Sequence, residues 1–238
     1  GGQVRYVANL ADRLGGMGHE VTIGCKRGSV LETVGQTVGA RVFNEFSFLG
    51  GGRINCWSKD CQTMMQLMRS GEFDLVHVNG SQDHWVAALA NRLLGSRLPV
   101  VRTRHNTYPV ARNLPNKLLN RSWTDFQIVV CDIVRKSLAA HPCFSPEKLK
   151  TIHNGVDVKE FSPRPELRMP VRSSFGFDSE HIVVGIVARL VPAKGHTFLF
   201  KAVKPLVGEF PLLRILVLGE GALRGILQKE VDSLGIGP

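Results

Sequence analysis

The sequence predicts a protein of the α/β class, with two doubly wound parallel-sheet domains of which the second is incomplete. Three observations predict it. Short apolar runs alternate with longer amphipathic segments, a proline-rich stretch interrupts this alternation, and it then resumes for one further strand–helix–strand–helix unit. Hydrophobic residues form 43% of the 238-residue chain and charged residues 21%, which is the balance of a folded globular protein rather than of a disordered one.

The first domain is predicted over residues 1–168 by two kinds of periodicity. Apolar residues three and four apart indicate helices at Gln3–Leu14, Cys61–Met68, His84–Leu94 and Asp132–Ala140. Short apolar runs indicate strands at Glu20–Ile23, Phe73–Val78, Pro99–Thr103, Phe126–Val130 and Lys150–Ile152. Strands that are apolar along their whole length are buried on both faces, so a parallel sheet covered by helices on each side is expected.

A break follows at residues 162–170, where prolines are frequent and periodicity is weak, which predicts a linker. The second domain is predicted over residues 169–238. Its strands are expected at Ile182–Val187 and Leu213–Leu218, and its helices at Lys194–Val207 and Ala222–Leu234. One such unit is too small for a complete doubly wound domain, so the second domain is expected to be truncated.

The formal net charge is +10, and the excess is densest between Asn91 and Lys136, with nine basic residues against two acidic ones. Such an excess favours anionic partners, namely nucleic acid, anionic lipid or phosphorylated substrates; a solvated basic surface is the alternative. The five cysteines are an odd number without a CxxC pair, which is typical of reduced thiols in the cytosol. No apolar run reaches the length of about 18 residues that a membrane span needs.

The strongest local signal is the segment Gly185–Gly195. A buried strand leads into a loop with Arg189 and Lys194, and Gly195 opens a helix. A helix N-terminus offers free N–H groups and a partial positive charge, to which arginine adds bidentate contacts and lysine a point charge. The segment therefore predicts a diphosphate site, with two solvated surface cations as the alternative.

Three further features carry weaker signals. Leu218–Gly221 is a second strand-to-helix turn with glycines, but tight turns use glycine in any case and the full dinucleotide motif is missing. His105 follows the strand that ends at Thr103, at the sheet edge where parallel sheets bind ligands, and it is placed to hydrogen-bond a substrate. A lone histidine is more often structural. His77 lies inside an apolar strand and is predicted to line the core.

Taken in order, several motifs resemble those of family 4 glycosyltransferases, enzymes with the GT-B architecture of two Rossmann-like domains. The matching segments are Gly1-Gly2, Gly18–Val21, Phe73–His77, Arg104-His105, Asn154–Asp157, Arg189 with Lys194-Gly195, and Gly219–Gly221. Each motif is modest, but their order and spacing across the chain are specific. Two positions depart from the family: Asn79 stands where many relatives carry a second histidine, and Cys131-Asp132 where Ser-Glu is usual.

The resemblance implies roles for these residues. His105, Arg189 and Lys194 would be catalytic: His105 would contact the transferred sugar, and the two cations would stabilise the departing diphosphate, so that neither metal nor cofactor is expected. The donor, a UDP-, GDP- or ADP-linked sugar, would be bound by Gly1, Gly2, Arg189, Lys194, Gly195, Gly219, Glu220 and Gly221. The first strand and the family's paired glutamates would lie outside this chain, which is therefore expected to be inactive alone.

A basic segment at residues 107–122 is predicted to face the acceptor and the membrane. Its cations Arg112, Lys117 and Arg121 interleave with four apolar residues, which suits a surface touching anionic headgroups. These apolar residues are Val110, Leu114, Leu118 and Leu119. A helix with a solvated basic face is the alternative. A cytoplasmic location is expected, extended to a peripheral one at the inner face of the cell membrane.

The expected function is transfer of a sugar, with retention, from a nucleotide-diphosphate donor to a glycan or lipid-linked acceptor in cell-envelope polysaccharide or lipopolysaccharide synthesis. Two alternatives stay open. A GT-B fold also serves sugar-nucleotide epimerases, since fold does not fix function. A non-catalytic module that binds sugar phosphates or nucleic acid is the other. Nucleic acid is not expected as a partner, because the arginine-rich stretch lacks clustered aromatic residues.

Overall fold

A computed structural model describes residues 2–49, 54–95 and 98–237. The chain divides into two compact units, Gly1–Val156 and Asp157–Pro238. The division falls earlier in the chain than the boundary predicted after residue 168. The α/β class with parallel sheets is confirmed, since every strand pair within the described sheets is parallel.

The first unit alternates helices and strands. Its helices are α1 (Gly2–Gly16), α2 (Val30–Thr37), α3 (Ile54–Arg69), α4 (Ser81–Leu93), α5 (Leu114–Lys117) and α6 (Asp132–Ala139). Its strands are β1 (Thr22–Gly24), β2 (Arg41–Phe43), β3 (Val76–Val78), β4 (Val100–Arg104), β5 (Phe126–Val129) and β6 (Leu149–Thr151). A π-helical turn, Leu118–Ser122, continues α5, and a 3₁₀ turn, Pro146–Lys148, precedes β6.

The strands of the first unit form two separate sheets. One has the order β3-β4-β5-β6, and the other pairs β1 with β2. A cavity of about 990 Å³ is lined by residues of both sheet edges, including Ile23 of β1 and His77 of β3, together with Val7 of α1. Neighbouring parallel strands have their carboxyl ends on the same side of a sheet. The loops that follow β3 and β4 therefore begin next to each other.

The main core of the first unit lies between α3, α4 and the sheet. Val86, Ala87 and Ala90 of α4 are at most 1% exposed and pack with Met64 of α3 and Val100 of β4. Small residues on this face of α4 allow close helix packing, and each fully buried valine or methionine contributes roughly 1.5–3 kcal/mol. This packing fixes α4, and with it the loop that joins β3 to α4.

Helix boundaries and two short elements differ from the sequence predictions. α4 begins at Ser81 rather than His84, because the Asp83 carboxylate accepts N–H groups just before the helix. α3 begins at Ile54 rather than Cys61. α2 and β2 were not predicted. They are short, and Ser29 begins α2 by accepting the Glu32 N–H at 3.3 Å.

The second unit contains α7 (Pro165–Ser174), β7 (Ile182–Val187), α8 (His196–Val203), β8 (Leu213–Leu218) and α9 (Arg224–Leu234). The two strands pair in parallel and have the predicted bounds. α8 is shorter than predicted, because a 3₁₀ turn with Lys194 precedes it and another with Pro205 ends it. α9 likewise begins two residues later than Ala222. Leu190, Phe200 and Leu227 form the core of this unit.

The predicted linker is helical from Pro165 onward. Pro165 occupies the first turn of α7, where a missing N–H costs nothing, since the first N–H groups of a helix have no intrahelical partner. Pro170 lies inside the same helix and removes one backbone hydrogen bond. α7 buries none of its residues fully, which is why the sequence around it lacks a clear apolar periodicity.

Candidate functional site

Polar side chains meet where β3 and β4 end. His77 Nε2 lies 2.7 Å from Thr103 Oγ1, and the same hydroxyl lies 3.3 Å from Tyr6 Oη. The register pairs Val78 with Arg102, so His77 and Thr103 are diagonal neighbours on one face of the sheet. α1 supplies Tyr6 about one turn after its first residue, Gly2. Gly1 lies outside the described residues.

His105 lies beside this group and is half-buried. Its ring and that of Tyr6 form a T-shaped pair, with ring centroids 4.6 Å apart and planes at 70°. Its Nε2 lies 3.0 Å from Asn79 Oδ1. Asn79, the residue that departs from the family pattern, is therefore the partner of the predicted catalytic histidine.

A carboxylate and a buried arginine lie behind Asn79. Asp83 Oδ2 accepts the backbone N–H groups of Asn79 and Gly80, both at 2.8 Å. Asp83 Oδ1 lies 3.8 Å from Arg102 Nη1. Arg102 is 3% exposed, and its Nε and Nη1 have no hydrogen-bond partner among the described residues. We call Tyr6, His77, Asn79, Asp83, Arg102, Thr103 and His105 the polar cluster.

Burial sets the protonation of these groups. It lowers the pKa of His77 to about 4, with a further lowering from His105 and an opposing effect of Asp83. Burial and then Arg102 also lower the pKa of His105. Burial lowers the pKa of Arg102 to about 10, which leaves the guanidinium charged at neutral pH. The cluster thus combines neutral imidazoles with one cation and one carboxylate.

His84 follows Asp83 in α4 and has a structural role. Its Nε2 lies 2.8 Å from Thr124 Oγ1, which donates to the Leu119 carbonyl at 2.6 Å. It is 2% exposed, and burial followed by the charges of Arg102 and Arg104 holds its pKa well below the usual value. This hydrogen-bonded neutral ring connects α4 to the segment before β5.

In the second unit, the loops after β7 and β8 contact each other through their backbones. We call residues 188–195 and 219–223 the loop pair. Leu190 N–H donates to the Glu220 carbonyl at 2.9 Å, continuing the ladder beyond the strands. A Cβ on Gly219 would lie 1.9 Å from the Ala188 oxygen, and one on Gly221 would lie 2.5 Å from the Leu190 oxygen. Glycine is required at both positions because the backbones approach so closely.

The loop pair brings together the predicted donor-binding residues of this unit. Arg189 and Lys194 are exposed, and neither has a carboxylate partner within the described part of the chain. Gly195 has φ 75° and links the 3₁₀ turn that ends at Lys194 to the start of α8. Two unpaired cations beside a helix N-terminus, against exposed Glu220 and two glycines, form a surface suited to an anionic ligand.

The basic segment differs from its prediction. Arg112, Lys117 and Arg121 are exposed as expected. Of the apolar residues between them, however, Leu119 is 3% exposed and Val110 packs against a core cluster. Leu119 lies within the π-helical turn, whereas Val110 lies before it, where His141 Nε2 is 3.0 Å from the Val110 carbonyl. Only Leu114, 66% exposed, and neighbouring Tyr108, 75% exposed, present large apolar surface beside the cations.

Sequence reasoning missed Tyr6, Asp83, Arg102 and Thr103. One signal was available for Arg102: a charged residue inside an apolar strand is buried and needs a partner. Asp83 also stands three residues after a glycine at a helix start, the position of an acidic side chain that reaches back to the N-cap. Of the described helices, none is long and apolar enough to cross a membrane. No group of three metal-ligating side chains occurs in the described ranges.

The chain resembles known proteins in sequence and in fold. Residues 1–160 match the family described as Glycosyltransferase Family 4. Over 129 residues, the chain is 30% identical to the GDP-mannose-dependent alpha-(1-6)-phosphatidylinositol monomannoside mannosyltransferase of Mycolicibacterium smegmatis, a match that covers 54% of this chain and 32% of that protein.

Two solved structures share the fold. A glycosyltransferase from Rickettsia africae ESF-5 superposes with a TM-score of 0.82 at 18% identity, over 97% of this chain and 60% of that one. Anabaena HepE, solved with UDP and glucose, superposes with a TM-score of 0.77 at 20% identity, over 99% of this chain and 64% of HepE. The chain thus spans less than two thirds of these relatives, and the predicted GT-B fold is confirmed. Since the family match covers more than half of its length, the chain belongs to glycosyltransferase family 4.

Proposed function

We propose that the complete protein transfers a sugar, with retention of configuration, from a nucleotide-diphosphate donor to a hydroxyl of a glycan or lipid-linked acceptor. The observation that carries this proposal is the loop pair. It presents Arg189 and Lys194 without carboxylate partners in the described structure, next to the start of α8 and to the exposed residues Gly219 and Gly221. A diphosphate is the ligand that such a surface best accommodates.

The proposed chemistry uses charge rather than a metal ion or cofactor. Arg189 and Lys194 stabilise the negative charge that builds on the diphosphate as the sugar–phosphate bond breaks. Preorganised donors of this kind are worth roughly 3–4 kcal/mol each in a transition state. His105 is uncharged at neutral pH because burial lowers its pKa, and it hydrogen-bonds a hydroxyl of the transferred sugar.

Support for a nucleotide-sugar donor comes from HepE, whose structure contains UDP and glucose. The M. smegmatis relative is named as GDP-mannose-dependent. The donor base thus differs between relatives, and UDP-, GDP- and ADP-sugars are all candidates. Gly219, Glu220 and Gly221 form one wall of the proposed nucleotide site.

The proposed acceptor is lipid-linked or a cell-envelope glycan, as in lipopolysaccharide synthesis. The name of the M. smegmatis relative specifies a phosphatidylinositol mannoside acceptor. Arg112, Lys117 and Arg121 form an exposed basic surface with Tyr108 and Leu114 beside them. This surface suits anionic headgroups and favours a cytoplasmic enzyme at the inner face of the membrane.

Donor binding provides the test. UDP, GDP and ADP are titrated into the complete protein by calorimetry, and we expect one of them to bind. Arg189→Ala and Lys194→Ala should each weaken that binding about tenfold or more, whereas Lys201→Ala, an exposed lysine inside α8, should not. Equal affinities in all variants would refute the diphosphate assignment. If the nucleotide sugar is converted to its epimer without an acceptor, the protein is instead an epimerase.

A further inference from the structure

The carboxylate of Asp83 connects the loop after β3 to a buried arginine. Its Oδ2 accepts two consecutive backbone N–H groups, those of Asn79 and Gly80, at 2.8 Å each. Its Oδ1 lies 3.8 Å from the Arg102 guanidinium, whose side chain is 4% exposed. One acidic side chain in the first turn of α4 therefore fixes the backbone of the loop that carries Asn79.

Asn79 is the next link, because its side chain contacts His105. The contact joins Asn79 Oδ1 to His105 Nε2 at 3.0 Å. An amide oxygen only accepts hydrogen bonds, so Nε2 carries the proton of the neutral ring and Nδ1 keeps its lone pair. Nδ1 has no hydrogen-bond partner among the described residues. It is the ring atom that remains for a ligand hydroxyl.

We propose that Asp83 is a positioning residue for His105. By fixing the backbone at Asn79, it holds the amide oxygen against Nε2 and keeps His105 in the tautomer whose Nδ1 accepts a hydrogen bond from a sugar hydroxyl. The identity of that ligand rests on the function proposed above. The tautomer and its dependence on Asp83 are properties of the protein alone.

Asp60 provides a matched control. It is 1% exposed and also accepts two consecutive backbone N–H groups, those of Ser47 and Phe48, at 2.8 Å each. Its hydrogen bonds reach neither Asn79 nor His105 within the described structure. Asp60→Asn therefore replaces a buried carboxylate that holds a loop, but it leaves the contacts between Asp83, Asn79 and His105 unchanged.

The experiment is histidine-selective ¹⁵N NMR on the complete protein, with the His105 signal assigned by its loss in His105→Gln. We expect the Nε2–H tautomer in the wild type, and a shift towards Nδ1–H in Asp83→Asn and in Asn79→Ala. The double variant should resemble Asn79→Ala alone, since both changes act on one connection. Asp60→Asn should leave the His105 signal unchanged. If Asp83→Asn does not fold, an unchanged His105 signal in Asn79→Ala would still contradict the proposal, because Asp83 is proposed to act through Asn79.

Activity gives a second readout. Asp83→Asn should lower kcat roughly tenfold or more with little change in the donor KM, the scale of effect seen when partners that orient a functional histidine are lost. An unchanged tautomer in folded Asp83→Asn, or the same shift in Asp60→Asn, would overturn the proposal. If the wild type transfers no sugar but the tautomer depends on Asp83, the positioning stands and the proposed function fails.

Discussion

The polar cluster of the first unit and the loop pair of the second use polar residues in opposite ways. In the cluster, Arg102 is 3% exposed, and His77 and His105 are held by hydrogen bonds to neighbouring side chains. In the loop pair, Arg189 and Lys194 are exposed and have no described carboxylate partner, while the backbone beneath them is closely packed. The polar side chains of the cluster are therefore held by one another, whereas the cations of the loop pair are exposed and have no carboxylate partner among the described residues. Substitutions in the cluster should therefore lower stability, whereas substitutions of Arg189 or Lys194 should change ligand binding and leave stability nearly unchanged.

The largest expected effect tests whether the loop pair is rigid. Gly219→Ala would place a Cβ 1.9 Å from the Ala188 oxygen, so the two loops must move apart. We expect a loss of roughly 3 kcal/mol in the free energy of unfolding, at the upper end of what overpacking costs. Gly225→Ala is the control, because a Cβ there meets nothing within 4 Å in α9. Helix propensity should make the control slightly more stable. Equal stabilities by urea titration would show that the loops are loosely apposed.

Asp83→Ala tests how strongly the stability of the protein depends on the buried ion pair of the polar cluster. It removes the acceptor of two backbone N–H groups and leaves the buried Arg102 without a counterion. Breaking such a pair costs about 3 kcal/mol, whereas Arg189→Ala, an exposed cation, should change stability by no more than about 0.5 kcal/mol. Chemical denaturation of both variants measures the difference. The contrast between the two regions disappears if Arg189→Ala is as destabilising as Asp83→Ala.

The pH dependence of stability sharpens the same contrast. His77 has a pKa of about 4 in the folded chain against 6.5 for the ordinary side chain, so the unfolded state binds the extra proton between these values. Stability therefore rises with pH from 4 to 6.5, and about 3 kcal/mol is lost as the pH falls through this window. His77→Gln should make that slope shallower in urea titrations at pH 5 and 7.5, while the lowered pKa of His84 keeps part of it. A slope unaffected by the substitution would show that His77 is accessible to protons when folded.

How much of this the sequence predicts depends on how local the signal is. β7 and β8 have the predicted bounds, because each is apolar apart from a single Gly185 or Arg214 and lies between charged or glycine-containing turns. The two glycines and two cations of the loop pair lie within a few residues of those strands, and they too could be found from the sequence. α7 was missed, since its prolines resemble those of a linker and it buries no residue fully.

The polar cluster was largely hidden because its contacts are distant in sequence. Tyr6 and Thr103 are 97 residues apart, and Asn79 and His105 are 26 apart. Neither pair produces a periodicity that a local pattern reveals. The basic segment shows the converse error. Its interleaved apolar residues suggested an exposed surface, but Val110 packs against a core cluster and Leu119 is buried.

Per substituted residue, the weakest effect is expected in that basic segment. Each exposed cation near an anionic membrane surface contributes about 1 kcal/mol of binding. Replacing Arg112, Lys117 and Arg121 together by glutamine should therefore weaken binding of the complete protein to phosphatidylserine-containing vesicles by roughly a hundredfold. Vesicles of phosphatidylcholine alone are the control. Equal binding of wild type and triple variant would place the membrane surface elsewhere.

The diphosphate site is tested most directly by sugar transfer by the complete protein, measured with the donor that calorimetry selects. Arg189→Ala and Lys194→Ala should each reduce turnover about a hundredfold or more, while stability stays unchanged and Lys201→Ala behaves as wild type. Near-normal turnover in either loop-pair variant would contradict the assignment of the diphosphate site.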